Sequence, residues 1–159
     1  MENRGPFNPN GGLTIVPHPG FERVAEKLKM LVEAMGERPT QKSTPVDIAI
    51  PAFEHYANGE TFVALPNTHI LEHDCVVIGS GPGTDKMLMQ LLWTLSMLAG
   101  RHAGRIAVMT GYFPLGRSDG DEGDSILTTP PMMMALANAA CGRVGLHRWV
   151  CADPHSKQI

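Results

Sequence analysis

No stretch of the sequence approaches the ~20 consecutive apolar residues that span a bilayer. The polar start, Met1 to Gly12, also lacks the apolar centre of a secretory signal. Excess positive charge is missing too: 13 Lys and Arg against 16 Asp and Glu give a net charge of −3. No basic field would gather nucleic acid or an anionic membrane surface, so neither is an expected partner. Cysteine is scarce. Cys75, Cys141 and Cys151 lie inside apolar segments without C-x-x-C spacing. That pattern suits reduced core thiols of a cytoplasmic protein better than a redox pair or a disulfide framework. Internal repeats, low-complexity tracts and a domain boundary are absent as well.

What remains is an ordinary globular chain. Its 159 residues are 43% apolar, and a domain of this size buries roughly 70% of its unfolded surface. Ten methionines, including Met132-Met133-Met134, are most simply adaptable core filler.

Along the chain, residues 1–12 are rich in Asn, Pro and Gly and predict a loose arm. Leu13-Thr14-Ile15-Val16 suits a buried strand. Phe21, Val24, Ala25, Leu28, Leu31, Val32 and Met35 recur at helical spacing, and Gly36 supplies a stop. Val46 to Pro51 and Thr61 to Leu65 are strand candidates, with a turn at Asn58-Gly59. Cys75 to Ile78 is a strongly apolar strand. It runs through Gly79-Ser80-Gly81-Pro82-Gly83 into a helix with Met87, Leu88, Leu91, Leu92, Leu95, Leu98 and Ala99 on one face. Arg105 to Met109 predicts another strand, 131–140 a helix, and Trp149-Val150-Cys151 a last strand. Strands alternating with helices at these spacings imply βαβ crossovers and a parallel sheet. Ligands of such sheets bind outside the carboxyl ends of the strands. Gly79 to Asp85, Gly111 to Asp124 and Asp153 to His155 therefore converge on one edge.

Each of these segments has a chemical and a plainer reading. Gly79 to Lys86 lacks the order of a Walker A loop, and Thr84 stands where a dinucleotide fingerprint needs its third glycine. A helix N-terminus can hold a phosphate through its free N–H groups, but the glycines also suit a tight strand-to-helix turn. In the second segment Arg117 stands among glycines at a strand's carboxyl edge. Its guanidinium could bridge two phosphate oxygens, or pair with Asp119 or Asp121. In the third, the His155 imidazole could ligate a divalent metal with Asp153 nearby, or be a simple exposed histidine.

Four segments, in order, resemble the N-terminal half of the ribose-phosphate diphosphokinases, the phosphoribosyl pyrophosphate synthetases. Tyr56-Ala57-Asn58-Gly59-Glu60 is similar to the family's Phe-Ser-Asp/Asn-x-Glu hairpin loop. Cys75 to Gly81 with Asp85 to Leu92 resembles "V-x-I-x-Q-S … N-x-x-x-M-E-L-L". Tyr112-Phe113-Pro114-Leu115-Gly116-Arg117-Ser118-Asp119 resembles "Y-F-x-Y-A-R-Q-D", and Asp153-Pro154-His155-Ser156-Lys157-Gln158-Ile159 resembles "D-L-H-x-x-Q-I". The resemblance covers residues 13–159. It implies an α/β fold: a three-layer, parallel-sheet, phosphoribosyltransferase-like domain with a small hairpin, the family's C-terminal domain being absent.

It also implies a site. Tyr56, Asn58, Gly59 and Glu60 would reach the ATP site of a neighbouring subunit, which makes a homo-oligomer the expected state. Arg117, with Ser118 and Asp119, would bind the ATP phosphates, and His155 would take part in Mg²⁺ binding. The reaction is transfer of the diphosphoryl group of ATP to the anomeric hydroxyl of ribose 5-phosphate. The ribose-phosphate loop and the catalytic loop belong to the absent half, so no catalytic residue is expected here and the isolated chain should be inactive. Ser118 replaces the usual Gln, Leu115 an aromatic and Pro154 a leucine. Gly120-Asp121-Glu122-Gly123-Asp124 stands where the family carries cations. Two alternatives stay open: a non-catalytic regulatory or assembly relative, and an unrelated nucleotide-binding α/β module.

Overall fold

The computed structural model describes residues 11–36, 46–65, 69–79, 83–118 and 129–155. Five parallel strands form the central sheet in the order β2-β1-β5-β6-β7: β1 Leu13–Pro17, β2 Val46–Ile48, β5 Asp74–Gly79, β6 Arg105–Tyr112 and β7 Leu146–Asp153. A separate antiparallel hairpin pairs β3 Ala52–His55 with β4 Thr61–Ala64. Among the described residues there are three helices: α1 Glu22–Gly36, α2 Asp85–Gly100 and α3 Pro130–Ala140.

Side chains alternate across a strand, and here alternate residues feed two cores. Val16, Val77, Ile106 and Val108 pack with Leu91, Leu95 and Leu98 of α2 and Met133 and Ala137 of α3. Their neighbours Ile15 and Ile78 face the other way, onto Ala25, Leu28 and Val32 of α1. Helices therefore lie on both faces, as a parallel sheet requires. Two helix entries are capped by threonine, as helix N-termini favour: Thr84 Oγ1 accepts from Met87 N at 3.4 Å and Thr129 Oγ1 from Met132 N at 3.5 Å.

Several sequence expectations need correction. The strand expected over Val46 to Pro51 ends at Ile48, and a new strand starts at Ala52 in the hairpin. Pro51 has no N–H to donate to a ladder; the last bond to β1's side is Ala49 N to Ile15 O, 3.0 Å. On α1 the apolar stripe is narrower than predicted. Ala25 is buried, but Val24, Leu31 and Met35 are exposed, Met35 to 73%, because α1 packs mainly over β1 and β2 at one side of the sheet. Of the three consecutive methionines only Met133 enters the core. Gly12, placed in the expected arm, is buried, and its carbonyl accepts from Asp74 N at 3.0 Å. Among the described residues no helix is long and apolar enough to cross a membrane.

The three cysteines are free, and Cys75 and Cys141 are buried. Burial pushes their thiols up to about 12 and about 11 respectively, which keeps them protonated and unreactive.

Candidate functional site

All strands of the main sheet are parallel, so their carboxyl ends share one edge. The chain runs from β1 outward to β2, then returns to place β5 on the other flank of β1. The strand order thus reverses between β1 and β5, the kind of point at which such sheets open a crevice for ligands.

His18 and Gly79 meet at that point. His18 N donates to Ile78 O at 2.8 Å, and a Cβ on Gly79 would lie 2.9 Å from the His18 Cβ. The His18 ring lies 3.3 Å, through Nε2, from the Met87 carbonyl in the first turn of α2. Burial pulls its pKa below the ordinary value, opposed by the hydrogen bond to Met87. Sequence reasoning passed over His18, because nothing in its neighbourhood along the chain signals a partner 69 residues away.

The start of the loop after β6 is anchored to the sheet. Phe113 is buried and lies 4.7 Å from Trp149 of β7, centroid to centroid. Trp149 Nε1 donates to Thr110 Oγ1 at 2.9 Å. These contacts fix the base of the loop on the sheet. Beyond Phe113 the chain folds into a turn in which Gly116 N donates to Phe113 O (3.1 Å) and Ser118 N to Leu115 O (3.0 Å). Leu115 sits at φ 62°, in the left-handed region. Arg117 projects from this turn and is exposed, with Ser118 half-buried beside it.

The register Tyr112↔Asp153 sets the end of β7 beside this loop. His155 follows two residues later, exposed, its ring 6.4 Å from that of Tyr112. The structure therefore brings the Arg117–Ser118 loop and His155 to one edge. Asp119 and the acidic run 120–124 lie outside the described residues, as do Ser80, Gly81 and Pro82.

The hairpin forms the remaining part. Gly59 N donates to Tyr56 O at 2.9 Å, Tyr56 N to Glu60 O at 2.8 Å and Glu60 N to Asn58 Oδ1 at 3.1 Å. Gly59 has φ 87°, a conformation glycine adopts without a Cβ penalty. Tyr56 stacks on Phe62 at 4.7 Å yet is 57% exposed. The hairpin belongs to its own sheet and its principal packing is β4 on α2. A groove of about 430 Å³ lies there, lined among others by Phe53, His55, Lys86 and Trp93. Tyr56, Asn58, Gly59 and Glu60 thus stand on a different element from Arg117 and His155.

Among the described residues no three His, Cys, Asp or Glu side chains gather to hold a metal. Mg²⁺ usually keeps several waters and takes one or two carboxylates plus phosphate oxygens. Asp153 and His155, both exposed, fit only a metal that arrives with a phosphate ligand.

Comparison with known proteins agrees with this fold. The sequence model of one family, the N-terminal domain of ribose phosphate pyrophosphokinase, matches residues 22–140. No curated protein sequence matches the chain. Among solved structures, phosphoribosylpyrophosphate synthetase from Mycobacterium smegmatis superimposes with a TM-score of 0.72 at 21% identity, over 92% of this chain and 44% of that one. At that identity the likeness is one of fold, and the chain spans less than half the length of that synthetase. The family match spans three-quarters of the sequence and includes β5, α2, β6 and the Arg117 turn, so the chain belongs to the ribose phosphate pyrophosphokinase family as its N-terminal domain.

Proposed function

We propose that this domain supplies the nucleotide-binding edge of a ribose-phosphate diphosphokinase, in which the diphosphoryl group of ATP passes to the anomeric hydroxyl of ribose 5-phosphate. In that transfer the hydroxyl oxygen bonds to the β-phosphorus, the bond from that phosphorus to the α-phosphate oxygen breaks, and AMP departs. Arg117 binds phosphate oxygens, a role shared by Ser118 and Asp119. His155 takes a place in the coordination of the Mg²⁺ that accompanies ATP. Tyr56 supplies a stacking face for a base, with Asn58, Gly59 and Glu60 shaping the turn that presents it.

The observation that carries this reading is the Tyr112↔Asp153 register, which brings the segments bearing Arg117 and His155 to one edge of the sheet. Phosphoryl transfer asks little covalent chemistry of a protein; it asks for positioning and charge neutralisation. An exposed arginine on a turn anchored at its base serves that purpose. Mg²⁺, when bound, would offset the charge of the phosphate oxygens. Tyr56 stands, exposed, on the separate hairpin rather than at this edge, which supports a base site completed between subunits of a homo-oligomer. The groups that bind ribose 5-phosphate fall to a further domain, so the domain alone carries no turnover.

One feature favours a second reading. Gly120 to Asp124 places three carboxylates where the family has cations, which suits a non-catalytic relative whose triphosphate binding is weakened. Family membership removes the third possibility, an unrelated module.

Titration of the folded chain with MgATP, by calorimetry, tests the proposal. Binding that weakens about tenfold or more in Arg117→Ala is expected, the size of a lost charge-assisted hydrogen bond. Equal binding by both proteins would remove Arg117 from the phosphate site, and no binding by either would select the non-catalytic reading.

A further inference from the structure

At the carboxyl edge the entry to α2 comes close to the Leu115 turn at Gly83. Gly83, the last residue before the Thr84 cap of α2, sits at φ +73°. A Cβ there would lie 3.1 Å from Leu115 N and 3.5 Å from Pro114 Cα. The nearest neighbour is backbone, so the contact has no flexible side chain to absorb it.

Which partner would yield is decided by how each is held. The α2 side is fixed. Thr84 O accepts from Leu88 N at 2.9 Å, the Met87 carbonyl is met by the buried His18, and Leu91, Leu95 and Leu98 lock the helix into the core. The other side is held at Phe113, through its contact with Trp149, and by Leu115, half-buried against the main core, but it has no helix around it and opens to solvent at Arg117. Leu115 already occupies the left-handed region, Arg117 is exposed, and the turn is closed by two hydrogen bonds, Gly116 N to Phe113 O and Ser118 N to Leu115 O. A side chain at position 83 would therefore displace Leu115 to Arg117 and leave α2 in place.

We infer that Gly83 is a positioning residue for Arg117: the missing side chain lets the α2 entry abut the Leu115 backbone, and that abutment sets where the guanidinium stands. This rests on the reading of Arg117 as a phosphate ligand. It also gives the glycine-rich stretch after β5 a role that needs no phosphate of its own.

Gly20 provides a matched control, since it has φ +90° and nothing within 4 Å of a built Cβ. Gly20→Ala suffers the backbone strain alone, whereas Gly83→Ala suffers the strain and the contact. In the nucleotide-free chain, amide resonances of Gly116, Arg117 and Ser118 should shift in Gly83→Ala and stay in place in Gly20→Ala. MgATP should bind about fivefold or more weakly to Gly83→Ala and unchanged to Gly20→Ala, a loss that Leu115→Gly partly restores by freeing the turn backbone. In the Arg117→Ala background, Gly83→Ala should add nothing further, because coupled residues depart from additivity. Equal weakening in both backgrounds, or no weakening in Gly83→Ala while Arg117→Ala still binds poorly, would overturn the role of Gly83 alone. Unchanged binding by Arg117→Ala would overturn the phosphate reading and the inference together. A Gly83→Ala chain that does not fold, with Gly20→Ala folded, is replaced by Gly83→Asn, which tolerates the left-handed region and carries the same Cβ.

Discussion

The His155 ring stands 6.4 Å from the Tyr112 ring at an interplanar angle of 69°, an edge contact between the ends of two neighbouring parallel strands. It links the loop that carries Arg117 to the segment after β7. His155 is exposed, so its removal should cost the fold little. His155→Ala is expected to weaken ATP binding by roughly threefold to tenfold when Mg²⁺ is present and far less when Mg²⁺ is withheld. Titrations with and without the metal check this, and an equal loss in both would assign His155 to the nucleotide instead.

Trp149 joins the sheet to the site, and its indole N–H bonds the nearly buried Thr110 hydroxyl. Trp149→Phe keeps much of the contact with Phe113 but leaves that hydroxyl without its donor. The expected cost is about 1–3 kcal/mol, measured by denaturant unfolding. A loss of binding larger than the loss of stability explains would show that the Phe113 anchor also sets the loop's position.

Leu95 lies under the sheet in the middle of α2 and is fully buried. Leu95→Ala should destabilise the chain by about 2–5 kcal/mol through lost burial and a cavity. Denaturation midpoints with an unchanged slope would confirm it, while a near-neutral result would mean that α2 is not packed as described.

Stability should fall in mild acid. Burial holds the His18 and His73 imidazoles below their ordinary value of 6.5. The unfolded chain then binds protons that the folded chain refuses, so stability is full above that value and declines as pH falls below it. The melting temperature should drop between about pH 7.5 and about pH 5.5, and His18→Gln should show a shallower drop. A melting temperature that rises in acid would contradict the burial assigned to both rings.

Much of the architecture was legible because parallel strands buried on two faces leave short, dense apolar runs, as at Leu13 to Val16 and Cys75 to Ile78. The hairpin was harder. Ala52 to His55 is half exposed and carries no continuous apolar run, so Val46 to Pro51 absorbed the signal that belongs to two elements. At the edge of the sheet, Leu146 to Arg148 of β7 gave no strand signal because two of the three residues face solvent. The Arg117 loop and His155 are candidates by strand-end placement and family resemblance. His18 and the contact of Gly83 with Leu115 are not, since both depend on partners distant in sequence and brought close only by the crossover.

The most direct test follows backbone amide resonances of the chain during titration with MgATP. Binding at the carboxyl edge predicts shifts concentrated at Gly111 to Ser118 and Asp153 to His155, and their loss in Arg117→Ala. Shifts concentrated instead at the opposite edge, around the Asp74–Arg105 ion pair, would contradict the account.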